Sequence, residues 1–211
     1  AVSKGLLNYL QKAPHDILVL TEVKLTTVNI PKAKHTLRDI GYQFVSINSN
    51  MGYAGVMIAS KLKEEPVELH GLSGEDPEKQ TARFMYVEYQ EPPLIVGALY
   101  IPFNNPEHKD RSERLENFYK VFLPNLDKLM AKAKARKIAV VMAGDFQVTP
   151  TAMDYTDNAD PTGPGATDVE RQYYKQILDT GLTDTFRTLH PDKREYTAHA
   201  KYASHPDSPN T

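Results

Sequence analysis

"VVMAGDFQVTP", Val140 to Pro150, is a short apolar run that ends abruptly in Gly144-Asp145, with Gln147 two residues further on. An apolar run of this length, bounded by turn residues, is the pattern of a strand buried on both faces. Such a strand delivers one carboxylate to the rim of a sheet. "DILVLTEVK" (Asp16–Lys24) is built the same way and delivers Glu22. Carboxylates at the ends of rigid strands can fix a hard cation. Mg²⁺ takes an oxygen shell of one or two carboxylates, waters and substrate phosphate, and can then polarise a phosphoryl oxygen. The same residues also read as a helix entry at Thr21-Glu22 and a turn at Gly144-Asp145, which is common loop chemistry.

Outward from these two runs the chain reads as mixed α and β. Ser3 is placed to cap a first short helix with Leu6, Leu7 and Leu10 on one face, stopped by Pro14. Pro31 opens a second helix, which Gly41 ends. "YQFVSI" (Tyr42–Ile47) and "AGVMIAS" (Ala54–Ser60) read as strands joined by a turn. Gly71–Gln80 is loop by composition, and "ARFMYVEY" with "LIVGALY" forms a hairpin around Glu91-Pro92-Pro93. A long helix is expected from about Ser112 to Arg136, with Leu115, Phe118, Phe122, Leu126 and Leu129 on one stripe and Pro124 kinking or splitting it. A loop rich in Pro, Gly, Thr and Asp follows Asp145, and loops of that length are usually functional. A last helix is expected over about Val169–Asp179, and a final short strand over Arg194–Ala200. Helices covering sheets fit better than a simple βαβ series.

The totals suit one ordinary globular domain. The 211 residues are 40% apolar and 25% charged, with a net charge of -2 that argues against a generally basic nucleic-acid binder. No segment has the length and apolarity of a membrane span, so no membrane partner is expected. The absence of cysteine, and of a signal peptide, points to an intracellular protein with no thiolate chemistry. None of the seven histidines is spaced as a zinc pair. Tyr100 also ends a strand, where a phenol can touch a phosphate or assist proton transfer; it reads equally as a half-buried strand aromatic. Lys128, Lys132, Lys134, Arg136 and Lys137 read as a solvated face complementing a helix C-terminus, with a phosphate backbone as the alternative target.

The order of the segments resembles the endonuclease/exonuclease/phosphatase superfamily, the DNase I-like fold. "DILVLTEVK" is similar to its "D-I-x-x-L-Q-E-T-K" segment, and "GYAGVMIASK" (Gly52–Lys61) to its glycine-tyrosine-glycine strand. "ARFMYVEY" and "IVGALYIP" resemble the central hairpin of the exonuclease III and apurinic-site endonuclease branch. "GDFQVTPTAMD" (Gly144–Asp154) resembles its "G-D-x-N-x-x-x-x-x-x-D", and "GLTDTFRTLHPDKREYT" (Gly181–Thr197) its late helix–loop–strand segment. The matches are collinear over nearly the whole chain. LINE-type retroelement endonucleases share the flavour of "GDF" and "TLHPDKREYT".

The resemblance implies a four-layer α/β/β/α sandwich and a Mg²⁺-dependent DNA phosphodiesterase, with Mn²⁺ as the alternative ion. It implies abasic or nicked duplex DNA as partner, with RNA as an alternative. By position, Glu22 would be the metal ligand and Tyr100 the phenol near the scissile phosphate. Asp145 would orient or deprotonate the attacking water. Gln147 stands where the family has asparagine. Tyr53 and Arg83 match positions that help hold the nucleic-acid backbone. The family also opens with a strand bearing Asn and closes with an Arg-Asp strand and an Asp-His pair. Residues 1–211 are therefore expected to form one domain lacking its first and last strands, with a protein partner or further segment over the exposed sheet edges. The family's aromatic after Tyr196-Thr197 is replaced by Ala198. Gln147 and Ala198 together favour the other reading, a catalytically degenerate relative kept as a nucleic-acid-binding or structural subunit.

Overall fold

The computed structural model describes residues 5–12, 15–49, 52–69, 82–105, 107–157 and 159–197. The chain divides into two compact units, Ala1–Gln147 and Val148–Thr211. Ser3, Pro14, the loop Gly71–Gln80 and Ala198 lie outside the described residues.

The first unit holds two sheets. Strands β1 (Ile17–Thr21), β2 (Phe44–Asn48) and β3 (Val56–Ser60) form an antiparallel sheet in the order β1-β3-β2. Strands β4 (Val67–Glu68), β5 (Phe84–Tyr89), β6 (Leu94–Tyr100) and β7 (Ala139–Asp145) form the other in that order. Within it β6 and β7 run parallel, a pairing that needs a long crossover. Helix α3 (Lys109–Arg136) supplies it. The helices α1 (Leu6–Lys12) and α2 (Ile30–Arg38) complete the unit.

The alternation of side chains along each strand sorts these elements into layers. On β3, Val56 and Ile58 join Met85, Val87 and Tyr89 of β5 and Val96 and Ala98 of β6 in one apolar cluster between the sheets. The alternate residues, Met57 and Ala59, join Leu10 of α1, Leu37 of α2 and Val45 of β2 in a second cluster. On β5 the remaining face meets α3. The Phe84 ring lies 5.9 Å from Phe118 and 5.2 Å from Phe122. Leu115, Phe118, Phe122, Leu126 and Leu129 are all buried, each contributing roughly 1.5–3 kcal/mol by its removal from water.

That stripe accounts for one departure from the sequence reading. α3 is a single helix of 28 residues and is not split at Pro124. Buried rings before the proline, Phe118 and Phe122, and buried leucines after it, Leu126 and Leu129, hold it together. Asn125 Nδ2 also donates to the Val121 carbonyl at 2.7 Å, satisfying a backbone acceptor in the turn that the proline disturbs. A second departure concerns the apolar runs. β1 and β7 were expected to be buried on both faces, yet each is the outer strand of its sheet. β1 is half-buried throughout, and Val141 of β7 is 49% exposed. A continuous apolar run states what a strand is made of, not how many neighbours it has.

In the second unit, α4 (Asp168–Asp179) starts at a capping box made by Thr167 and Glu170. The Gly-rich turn before it is tied down by the buried Glu170, whose carboxylate accepts from Gly165 N at 2.9 Å. A short helix, α5 (Thr185–Leu189), follows within Gly181–Thr197, where the resemblance implies a late helix. Its Arg187 pairs with Asp154 at 2.6 Å. Residues 194–197 are not a strand, which corrects the expected one over Arg194–Ala200; residues 198–200 lie outside the described residues. Among the described residues no helix is long and apolar enough to cross a membrane.

Candidate functional site

Glu22 follows the last residue of β1 with a left-handed backbone, φ 52°. The turn it begins is laced to the turn ahead of β3. Val23 N donates to Gly55 O at 3.2 Å and Lys24 N to Ala54 O at 2.8 Å. Ser49 Oγ accepts from Leu25 N at 3.0 Å and donates to Leu25 O at 2.7 Å. Gly55 is required here. Its φ is 95°, and a Cβ would stand 2.6 Å from Ser49 Oγ and 2.7 Å from Val23. One set of backbone bonds thus places both Glu22 and the turn that carries Tyr53.

Behind them lies Arg83, only 3% exposed. It donates to the Tyr53 hydroxyl at 2.7 Å and to the Tyr100 carbonyl at 3.3 Å. Its guanidinium sits 4.8 Å from the Tyr100 ring centre and 5.4 Å from that of Tyr53, within range for cation–π attraction. Arg83 is therefore a bolt behind two tyrosines, while Tyr53 itself is 53% exposed. Tyr100, the last residue of β6, bonds to the Glu22 carboxylate; burial first, and then that carboxylate, push the phenol up to about 12. Glu22 shifts the other way. The Lys24 ammonium, 2.6 Å away, holds its carboxyl below the usual carboxylate range against the effect of burial, with Tyr100 and Arg83 assisting.

Asp145 ends β7 directly beside Tyr100 in the parallel register, and its carbonyl accepts from Ile101 N at 3.0 Å. The approach is close because Gly144 has no side chain. A Cβ there would lie 1.9 Å from the Leu99 carbonyl oxygen, at φ 145°. Gln147 then turns back, with φ 51°. Its backbone N–H donates to Asp145 Oδ1 at 3.1 Å, and its side-chain amide donates to Asp145 Oδ2. The extra methylene does not push the amide outward, as its length alone suggests. It lets the amide reach round to the carboxylate.

Glu22, Tyr53, Arg83, Tyr100, Asp145 and Gln147 thus gather at one end of the paired sheets. Among the described residues no three His, Cys, Asp or Glu side chains are grouped as a metal-binding set.

Comparison with known proteins fixes the family. No protein-family model matches the chain. An exodeoxyribonuclease of Streptococcus pneumoniae is 30% identical over 209 residues, covering 92% of this chain and 71% of that protein. The chain belongs to the exonuclease III/apurinic-apyrimidinic endonuclease branch of the endonuclease/exonuclease/phosphatase superfamily. Within this branch, the DNA repair nuclease APEX1 of Danio rerio is 27% identical over 197 residues, 91% of this chain and 59% of that protein. The 3'-5' exonuclease NExo of Neisseria meningitidis superposes with a TM-score of 0.80 at 25% identity, over 95% of this chain and 75% of that one. The chain spans between 25% and 59% of the length of three of the other curated relatives it matches. Nothing in these comparisons supports the LINE-type flavour of the sequence.

Two features of this branch member were not singled out from sequence. Lys24 sits on Glu22, although it is part of the quoted "TEVK". Arg114 of α3 donates to the Tyr53 hydroxyl at 3.4 Å. Its only signal was an arginine near the start of the helix that follows Tyr100.

Proposed function

We propose that the chain is a DNA phosphodiesterase of the apurinic-endonuclease/exonuclease III type, built on a four-layer α/β/β/α sandwich in which further strands pair with the open edges of β1 and β7. The convergence of Glu22, Tyr100 and Asp145 at strand ends, with Arg83 bracing Tyr100, carries this reading. Glu22 would hold a magnesium ion, since one carboxylate on a rigid strand with waters and substrate phosphate is a usual donor set for it. When bound, the ion supplies polarisation of a phosphoryl oxygen. Tyr100 stays protonated at neutral pH, and its single O–H would turn from the Glu22 carboxylate to a non-bridging phosphate oxygen when substrate is bound. Asp145 accepts from the attacking water and takes its proton. Gln147 fixes the direction of the Asp145 carboxylate. Tyr53, held by Arg83, faces the nucleic-acid backbone.

The decisive experiment is cleavage of a labelled abasic duplex with Mg²⁺, and with Mn²⁺ or an RNA duplex as further arms. Nicking that depends on the ion and disappears in Glu22→Ala and Asp145→Asn is the expected result. A second reading, a relative that binds nucleic acid without cutting it, is favoured by one observation. Lys24 engages Glu22 and Gln147 engages both oxygens of Asp145, so each carboxylate is already satisfied. Binding of the duplex with no cleavage under any ion would establish that reading and reject the first.

A further inference from the structure

Three residues beyond Tyr100, the chain holds a phenylalanine out of the core. Phe103 is 44% exposed, while both its neighbours, Pro102 and Asn104, are buried. The loop is pinned rather than loose. Ser112 Oγ donates to Asn104 Oδ1 at 3.1 Å, Glu107 N to Asn105 Oδ1 at 3.0 Å, and His108 N to Asn105 O at 2.9 Å. The ring's position is therefore fixed by the entrance of α3. One face of it is covered by Arg111, whose guanidinium lies over the ring 5.8 Å from its centre. The neighbouring exposed aromatic, Tyr53, is treated in the same way by Arg83 and Arg114. Two exposed aromatic rings, each paired with arginine, flank one strand end. Scattered surface aromatics need no explanation; rings coupled to cations beside a phosphate-directed site suit nucleobases. A base presents a π-face to a ring or guanidinium plane, and its phosphate is drawn to the positive charge.

We infer that Phe103 and Arg111 form a stacking platform for an unpaired nucleobase flanking the scissile phosphate. Three residues of extended chain reach at most about 10 Å, which corresponds to about one to three nucleotides along a strand rising 3.4 Å per nucleotide. A base inside a duplex has both faces covered by its neighbours, so the platform discriminates in favour of frayed, gapped or single-stranded flanks. The inference rests on the nuclease reading above and names the kind of substrate that site selects.

The test is fluorescence anisotropy in EDTA, so that no cleavage occurs, with two labelled abasic duplexes. One is fully paired; the other carries a three-nucleotide unpaired tract beside the abasic position, with 2-aminopurine in the tract. The unpaired tract should tighten binding about tenfold and quench the 2-aminopurine emission. Phe103→Ala should abolish both effects while leaving affinity for the paired duplex unchanged, and Phe103→Trp should keep them. Equal binding of the two duplexes by the unaltered protein would overturn the platform. So would an equal loss on both duplexes in Phe103→Ala. If the paired duplex is bound and, with Mg²⁺ restored, cleaved while the tract adds nothing, the platform fails and the nuclease reading stands. If neither duplex is bound, both fail.

Discussion

Replacing Gln147 by Asn isolates what the longer amide does. In the structure, both oxygens of Asp145 accept from Gln147, one from its backbone and one from its side chain. Shortening the side chain by one carbon–carbon bond withdraws the amide by about 1.5 Å. The contact with Oδ2 then opens to about 4 Å, beyond hydrogen-bond range. The lost bond is to a carboxylate but only half-buried, so the cost to stability is about 1 kcal/mol, or a melting-point drop of about 2–4 °C. The freed oxygen can accept from water instead. Gln147→Asn should therefore raise kcat on an abasic duplex by about tenfold to a hundredfold, with KM nearly unchanged, measured under single-turnover and steady-state conditions. Gln147→Ala frees Asp145 equally but leaves no amide near the phosphate, and should fall between the two. A rate that is unchanged or lower in a folded Gln147→Asn protein would refute the view that this amide restrains Asp145. Silence of both proteins with intact DNA binding would refute it as well.

Three further outcomes follow from the geometry. In an alkaline absorbance titration, Tyr100 should ionise at about 12, seen as the component missing from Tyr100→Phe; because the folded value is raised, its contribution to stability is intact below about pH 10 and is lost as pH rises through the folded value. Glu88 of β5 is buried and bonded by Arg136 at 2.6 Å, which holds its carboxyl below the usual range. The stability that this pair contributes is complete above the ordinary carboxylate range and lost as pH falls through the lower folded value. Arg136→Met should flatten that acid limb in urea melts, since Glu88 is then left with Gln90 Nε2 at 3.1 Å and the more distant Lys132 at 3.9 Å. Gly144→Ala must push β7 off Leu99, so it should destabilise by about 3 kcal/mol or more and remove activity even where some fold survives.

Much of this was legible in the chain, and what was not has physical causes. The β5–β6 hairpin, the α3 stripe and the strand-end positions of Glu22, Tyr100 and Asp145 come from local periodicity, which the sequence states directly. The edge positions of β1 and β7 were not legible, because apolar content does not count neighbours. The role of Glu88 was hidden too. Its partners Lys132 and Arg136 looked like a solvated basic run, and only the docking of α3 on β5 turns them toward a buried carboxylate. Gln147 was visible as a residue of the wrong length, but the direction of its amide depends on a left-handed φ that composition does not disclose.

Tyr100 and Asp145 stand side by side only because β6 and β7 run parallel, with all of α3 between them in the chain. The β5–β6 pair can close over a few residues, whereas the β6–β7 pair waits for a whole helix to form and dock, and such non-local closures come late. On a growing polypeptide, Glu22, Arg83 and Tyr100 have all been synthesised before Ala139 is reached. On the proposed reading, a nascent chain is therefore expected to display Glu22 and the two tyrosines braced by Arg83 before it owns Asp145. On that reading, grip precedes chemistry during synthesis.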